Sequence, residues 1–187
     1  MSGVEVYTKQ QVDALLAALP SGGTGGVAPS FYRRHHTSHT DLFRTYTEMT
    51  ETRLRFEVTT AGVAELSANV ELHHRGLVSA AVGYGMRIRV RTSATEAGLA
   101  SATALDVPHA YAAGNIYDET DHYGTATIPA LPIALAVGWH EFSLWGNSHS
   151  SAAPSTDGLI EVHQPDSSRD YNFLACKFTP GATLNLS

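Results

Sequence analysis

Leu66-Ser67-Ala68-Asn69-Val70-Glu71-Leu72 and Tyr84-Gly85-Met86-Arg87-Ile88-Arg89-Val90-Arg91 decide how this chain folds. In both stretches every second residue is apolar, and the residues between are polar, charged or glycine. Successive side chains of a strand point to opposite faces. Such alternation therefore describes antiparallel strands with one face in a core and the other toward water. Leu54-Arg55-Phe56-Glu57-Val58 repeats the pattern, and Ile128–Val137, Trp139–Trp145, Leu159–His163 and Tyr171–Phe178 are further strand-like runs. With turn residues between them, these segments predict seven to nine strands. The fold class expected is mainly β, an antiparallel jelly-roll-like sandwich.

Composition agrees. Of 187 residues, 43% are hydrophobic and only 16% charged, against about 25% charged in an average soluble domain. A domain of this size buries a core without disulfide or metal staples. Cys176 is the single cysteine, so neither an intrachain disulfide nor a Cys-x-x-Cys site is available. The formal charge of −6 argues against a nucleic-acid partner. The charge is uneven: residues 1–91 hold ten Lys/Arg and eight Asp/Glu, residues 92–187 two and ten. No apolar run approaches the roughly 20 residues of a bilayer span, so membrane insertion is not expected. Met-Ser-Gly-Val-Glu-Val has neither the basic nor the apolar region of a secretory leader, and a soluble product made in a cytosol is expected.

Ahead of the strands lies a different signal. In Tyr7-Thr8-Lys9-Gln10-Gln11-Val12-Asp13-Ala14-Leu15-Leu16-Ala17-Ala18-Leu19-Pro20, Thr8 and Gln11 have capping-box spacing, and Tyr7 and Val12 that of a hydrophobic staple. Val12, Leu15, Leu16 and Leu19 make one apolar stripe of a helix about 17 Å long, which Pro20 stops. A glycine-rich linker follows. Three parts are expected: an N-terminal helical stalk over residues 1–20, a linker over 21–30 and a β-sandwich head over 31–187. An isolated helix this short is marginal in water, so its stripe must be covered. It docks either on its own domain or against copies of itself around a shared axis. The linker favours the second, with Val12, Leu15, Leu16 and Leu19 as oligomerisation residues.

Tyr7–Leu16 resembles the Tyr-Ser/Thr-Lys-x-Glu-Val-Asp-x-Leu-Leu segment of bacteriophage tail-fibre and head-fibre proteins, with Gln11 where Glu is usual. Gln keeps the capping role. The resemblance covers about ten residues and implies a short trimeric stalk before a β-rich head. Gly138-Trp139-His140-Glu141-Phe142-Ser143-Leu144-Trp145 and Tyr171-Asn172-Phe173-Leu174-Ala175-Cys176-Lys177-Phe178-Thr179-Pro180 look like late strands of trimeric jelly-roll heads in tail proteins, themselves loosely similar to complement-type and tumour-necrosis-factor-type folds. The resemblance implies a homotrimer on the virion, in contact with other virion proteins.

His35 and His39 are four apart, but Thr37, Ser38 and Thr40 disfavour a helix there. On a strand the two stand about 13 Å apart, too far for one ion. His73 and His74 would point oppositely, so no metal is expected. Tyr111–Gly124 is polar, aromatic and aperiodic, and is expected to be a long surface loop. Its Tyr111, Asn115, Tyr117, Asp118, Glu119, Asp121, His122 and Tyr123 are the candidate ligand-binding set, aromatic faces and carboxylates suited to sugar or protein. Ala94–Pro108 is either a loop or a strand pair. Arg87, Arg89 and Arg91 share a strand face, which fits binding of acidic groups, pairing between subunits or plain solvation. No Gly-x-Ser-x-Gly elbow or phosphate loop is present, and Cys176 reads as a buried thiol. No catalytic residue and no cofactor are expected. The resulting expectation is a tail-associated phage adhesin that binds host-surface carbohydrate. The alternatives are a capsid decoration or head-fibre protein, and a tail-associated glycan hydrolase or esterase.

Overall fold

The computed structural model describes residues 28–74, 82–116, 122–149, 160–162 and 172–184. The proposed helix with Val12, Leu15, Leu16 and Leu19, and nearly all of the linker, lie outside the described residues. Ten strands are described: β1 Ser30–His35, β2 Thr40–Leu42, β3 Thr47–Val58, β4 Gly62–His74, β5 Val82–Ser93, β6 Leu105–Ile116, β7 His122–Leu135, β8 Gly138–His149, β9 Ile160–Val162 and β10 Phe173–Pro180. A single 3-10 turn, Ala97–Ala100, precedes β6.

The strands form two antiparallel sheets. One is six-stranded, in order β1-β10-β4-β9-β2 with β7 on the free side of β4. The other is four-stranded, in order β3-β8-β5-β6. Leaving aside the three-residue β2 and β9, the rows are β1-β10-β4-β7 and β3-β8-β5-β6. Every connection between these longer strands then crosses from one sheet to the other, except that between β5 and β6. This is the paired Greek-key arrangement of a jelly roll, and it agrees with the sandwich expected from the alternating runs.

Alternation in β4 is strict: Ala64, Leu66, Ala68, Val70, Leu72 and His74 are buried, and the residues between them are half-buried. Their partners across the core come from the other sheet, including Met49, Leu54, Ile88, Phe142 and Leu144. An aromatic group joins the sheets at one end. Phe56 of β3 stacks on Tyr32 of β1 at 4.5 Å and lies 6.0 Å from both Phe142 and Phe178. His74 enters the core at 1% exposure while His73 faces outward, as neighbours on a strand must.

One expectation needs correction. Tyr111–Gly124 is not a long loop. Tyr111–Ile116 completes β6, and β7 has begun by His122. The inward positions in the middle of β6, Ala110, Ala112 and Gly114, are small, with Val107 and Ile116 flanking them, so no strong apolar alternation marks the strand. The space they leave is filled from β5: a Cβ on Gly114 would meet Tyr84 Oη at 2.8 Å. The Ala94–Pro108 segment resolves into the 3-10 turn and the start of β6. The ten strands also exceed the seven to nine expected, because three-residue elements such as β2 are too short to show a period.

Candidate functional site

Alternation along β5 sends Arg87, Arg89 and Arg91 to the outer face of the four-stranded sheet, and β3 adds Arg53 and Arg55. These guanidiniums are paired within the chain. Arg91 reaches Glu48 at 2.8 Å and Glu141 at 2.8 Å. Arg53 reaches Glu48 at 2.7 Å, and Arg55 reaches Glu141 at 2.7 Å. Arg87 and Arg89 each contact Asp106 at 2.6 Å. Register explains the pairing, because β8 lies between β3 and β5 and places Glu141 opposite both Arg55 and Arg91. Glu141 faces outward but is only 2% exposed, since the arginines cover it.

Electrostatics follow from that packing. Burial pushes the Glu48 carboxyl up, but hydrogen bonds from Arg91, Arg53 and Ser143 outweigh it and hold the group at about 2. At Asp106 burial likewise acts upward, and hydrogen bonds from Arg89 and Arg87 bring the carboxyl below its ordinary value. Arg53 and Arg91 are raised, chiefly by their hydrogen bonds to Glu48. Two aromatic plates complete the lattice. Arg87 lies over Tyr46 at 4.5 Å, and Arg89 over Trp145 at 4.6 Å. Stacked and bidentate arginines of this kind are held in place by several contacts at once. Of the three readings of the arginine row, the structure favours the first, binding of acidic groups, and those acids belong to the same chain.

The lattice ends at β6, and there the surface changes. Between Arg87 and Arg89 of β5 the partner strand bulges, jumping from Tyr111 to Asp106. Within the bulge His109 adopts φ 61°, a left-handed conformation uncommon for a residue with a Cβ. Bulges re-aim side chains at sheet rims, and here Tyr111 is left 62% exposed. Hollows flank it on either side. One, about 260 Å³, has Arg87, Asp106, Pro108 and His109 on its walls. The other, about 660 Å³, is lined by Tyr84, His109, Ala113, Thr125 and Thr127. Tyr111 borders both.

Of the candidate binding residues, Tyr111 and exposed Asn115 share the outward face of β6, four residues apart, and of the two only Tyr111 borders the hollows. The backbone of His122 and Tyr123 opens β7 in the other sheet, opposite His74 and His73. Tyr117, Asp118, Glu119 and Asp121 lie outside the described residues. His109, Arg87 and Asp106 were not picked out with Tyr111 from the sequence, because their proximity depends on the bulge.

Other candidates also find their places. Cys176 is buried, and burial alone pushes its thiol up to about 12. His35 and His39 do not converge. His35 tilts against Phe173 with ring centroids 6.5 Å apart, whereas His39 meets Asp41 and Glu161.

The fold and its outer face define a class, a two-sheet jelly-roll sandwich with an aromatic site on an edge strand. No family model matches the chain, and no curated protein matches it. Among solved structures it is similar to one of infectious bursal disease virus, Gx strain, at 8% identity and a TM-score of 0.40, covering 84% of this chain and 39% of that one. A structure of the Gt strain of the same virus is similar at 7% identity and a TM-score of 0.43, with the same coverage. The chain therefore spans about two fifths of the length of either.

Proposed function

We propose that this chain is a structural virion protein of a phage: a trimeric, tail-associated adhesin that binds a host-surface glycan at the rim of β6. The observation that carries the reading is Tyr111, a ring 62% exposed between two hollows. A sugar presents an apolar face of C–H groups and a rim of hydroxyls. An exposed aromatic ring takes the first. The Arg87–Asp106 pair, Thr125 and Thr127 offer donors and acceptors to the second.

Affinity of a single open site of this kind is modest. Three copies joined through the Val12, Leu15, Leu16 and Leu19 stripe raise it through effective concentration. The resemblance of Tyr7–Leu16 to phage stalks supports that assembly and the location on a virion beside other virion proteins. The reading includes no catalytic step, no cofactor and no nucleic-acid partner.

The test is binding of the purified chain to host cells and to an array of their surface glycans, with its mass measured under native conditions. Saturable binding by a trimer is expected, and its loss in Tyr111→Ala with an unchanged unfolding curve. Equal binding by Tyr111→Ala would move the site elsewhere. Absence of binding, with labelled protein located on the shell in virion images, would replace the adhesin by a capsid decoration protein.

A further inference from the structure

On the six-stranded sheet, β2, β9 and β4 place Asp41, Glu161 and His73 in one cross-strand row, Asp41 opposite Glu161 and Glu161 opposite His73. Ile160 and Val162 on either side of Glu161 are fully buried and point into the core. Glu161 therefore points to the outer face, yet it is only 2% exposed. Two imidazoles lie against it. His39 Nε2, from the turn before β2, is 2.5 Å from Glu161 Oε2, and His73 Nδ1 is 2.8 Å from Oε1. The same His39 nitrogen lies 3.7 Å from Asp41 Oδ1.

We propose that His39, Asp41 and Glu161 bind a divalent transition metal of the zinc class. Their ligand atoms all lie within 4.8 Å of one another. Metal–nitrogen and metal–oxygen distances near 2.0–2.2 Å at tetrahedral angles set ligands about 3.3 Å apart. The observed 2.5 and 3.7 Å bracket that separation, and the third pair, Asp41 and Glu161, lies within 4.8 Å, so the ion enters on side-chain adjustments of about 1.5 Å or less. Burying one carboxylate beside a second is costly, and a dication offsets both charges at once. An imidazole among the donors favours zinc over calcium or magnesium, which take oxygen alone.

His73 touches the other oxygen of Glu161 and is a positioning residue, fixing the carboxylate so that Oε2 faces His39. The site also has a structural logic. β2 and β9 are three residues each and hold few ladder hydrogen bonds. An ion shared by the turn before β2, by β2 and by β9 ties them together, and its binding energy becomes folding energy. This site is independent of the Tyr111 rim, which belongs to the other sheet.

The experiment is titration of the metal-stripped full chain with Zn²⁺, Co²⁺ and Ca²⁺, followed by calorimetry, native mass and the Co²⁺ absorption spectrum. One Zn²⁺ per chain is expected, with slowed amide exchange in β2 and β9. Loss of even an outer partner of a metal ligand costs roughly ten- to a hundredfold in affinity, so His39→Ala and Asp41→Asn should each lower it by about a hundredfold. Asp41→Asn keeps the side chain's shape, so the proposal stays testable if His39→Ala does not fold. Unchanged affinity in Asp41→Asn would assign the ion to other histidines and overturn the proposal. So would the absence of Zn²⁺ binding, or tighter binding of Ca²⁺ than Zn²⁺.

Discussion

Glu48 offers a quantitative handle on the arginine lattice. Its carboxylate is clamped by two guanidiniums, each through two bonds: Arg53 at 3.0 and 2.7 Å, Arg91 at 2.8 and 3.0 Å. The side chain is 11% exposed. The folded group titrates at about 2, against 4.5 when free. The native state therefore binds fewer protons than the unfolded one between these values. The clamp's contribution is fully present above about pH 4.5 and is lost as pH falls toward 2. At 1.36 kcal/mol for each unit the displacement corresponds to about 3 kcal/mol, and solvent at the half-exposed Arg53 trims it to about 2–3 kcal/mol. The assay is urea unfolding of wild type and Glu48→Gln at a series of pH values and fixed protein concentration. Carboxylates outside the lattice titrate alike in both proteins and cancel in the difference, whereas Glu141 shares Arg53 and Arg91 with Glu48 and is coupled to it. The variant should be about 2–3 kcal/mol less stable at pH 7, the gap closing below pH 4.5 and vanishing near pH 2. A gap that stays constant with pH would refute the electrostatic account and leave only lost packing.

Two further outcomes test the core. Phe56→Ala removes the ring that meets Tyr32, Phe142 and Phe178 between the sheets, and should cost about 3–5 kcal/mol in urea unfolding; a loss near 1 kcal/mol would show that the sheets are held together elsewhere. Cys176, with its thiol pushed up to about 12 by burial, should resist a thiol reagent at pH 8 in the folded protein and react once per chain after unfolding. Prompt reaction of the native chain would place it at the surface.

The long strands were legible where their faces differ in polarity. Leu66–Leu72 of β4 and Tyr84–Arg91 of β5 alternate apolar with polar or glycine positions, and both strands stand where the alternation puts them. β6 escaped because the inward positions along its middle, Ala110, Ala112 and Gly114, are small, the room being taken by Tyr84 from the neighbouring strand. A pattern that counts apolar residues along one segment does not register volume supplied by another. The arginine row was read as sharing one face, and it does. Its acidic partners were not readable, because Glu48, Glu141 and Asp106 reach it only through the order β3-β8-β5-β6.

The histidines show the same limit from the other side. Local spacing rightly separates His35 from His39 and turns His73 away from His74. It says nothing of Glu161, which lies far along the chain and is brought opposite Asp41 and His73 by β9. Hydrophobic pressure on Ile160 and Val162 fixes the pleat of that short strand, and the pleat alone obliges Glu161 to face the imidazoles. Register, set by the apolar residues, is therefore what assembles the polar donors. A one-residue slip of β9 would put the carboxylate in the core and dissolve the group. Substituting Ile160 or Val162 thus weakens the metal group without touching any of its ligands.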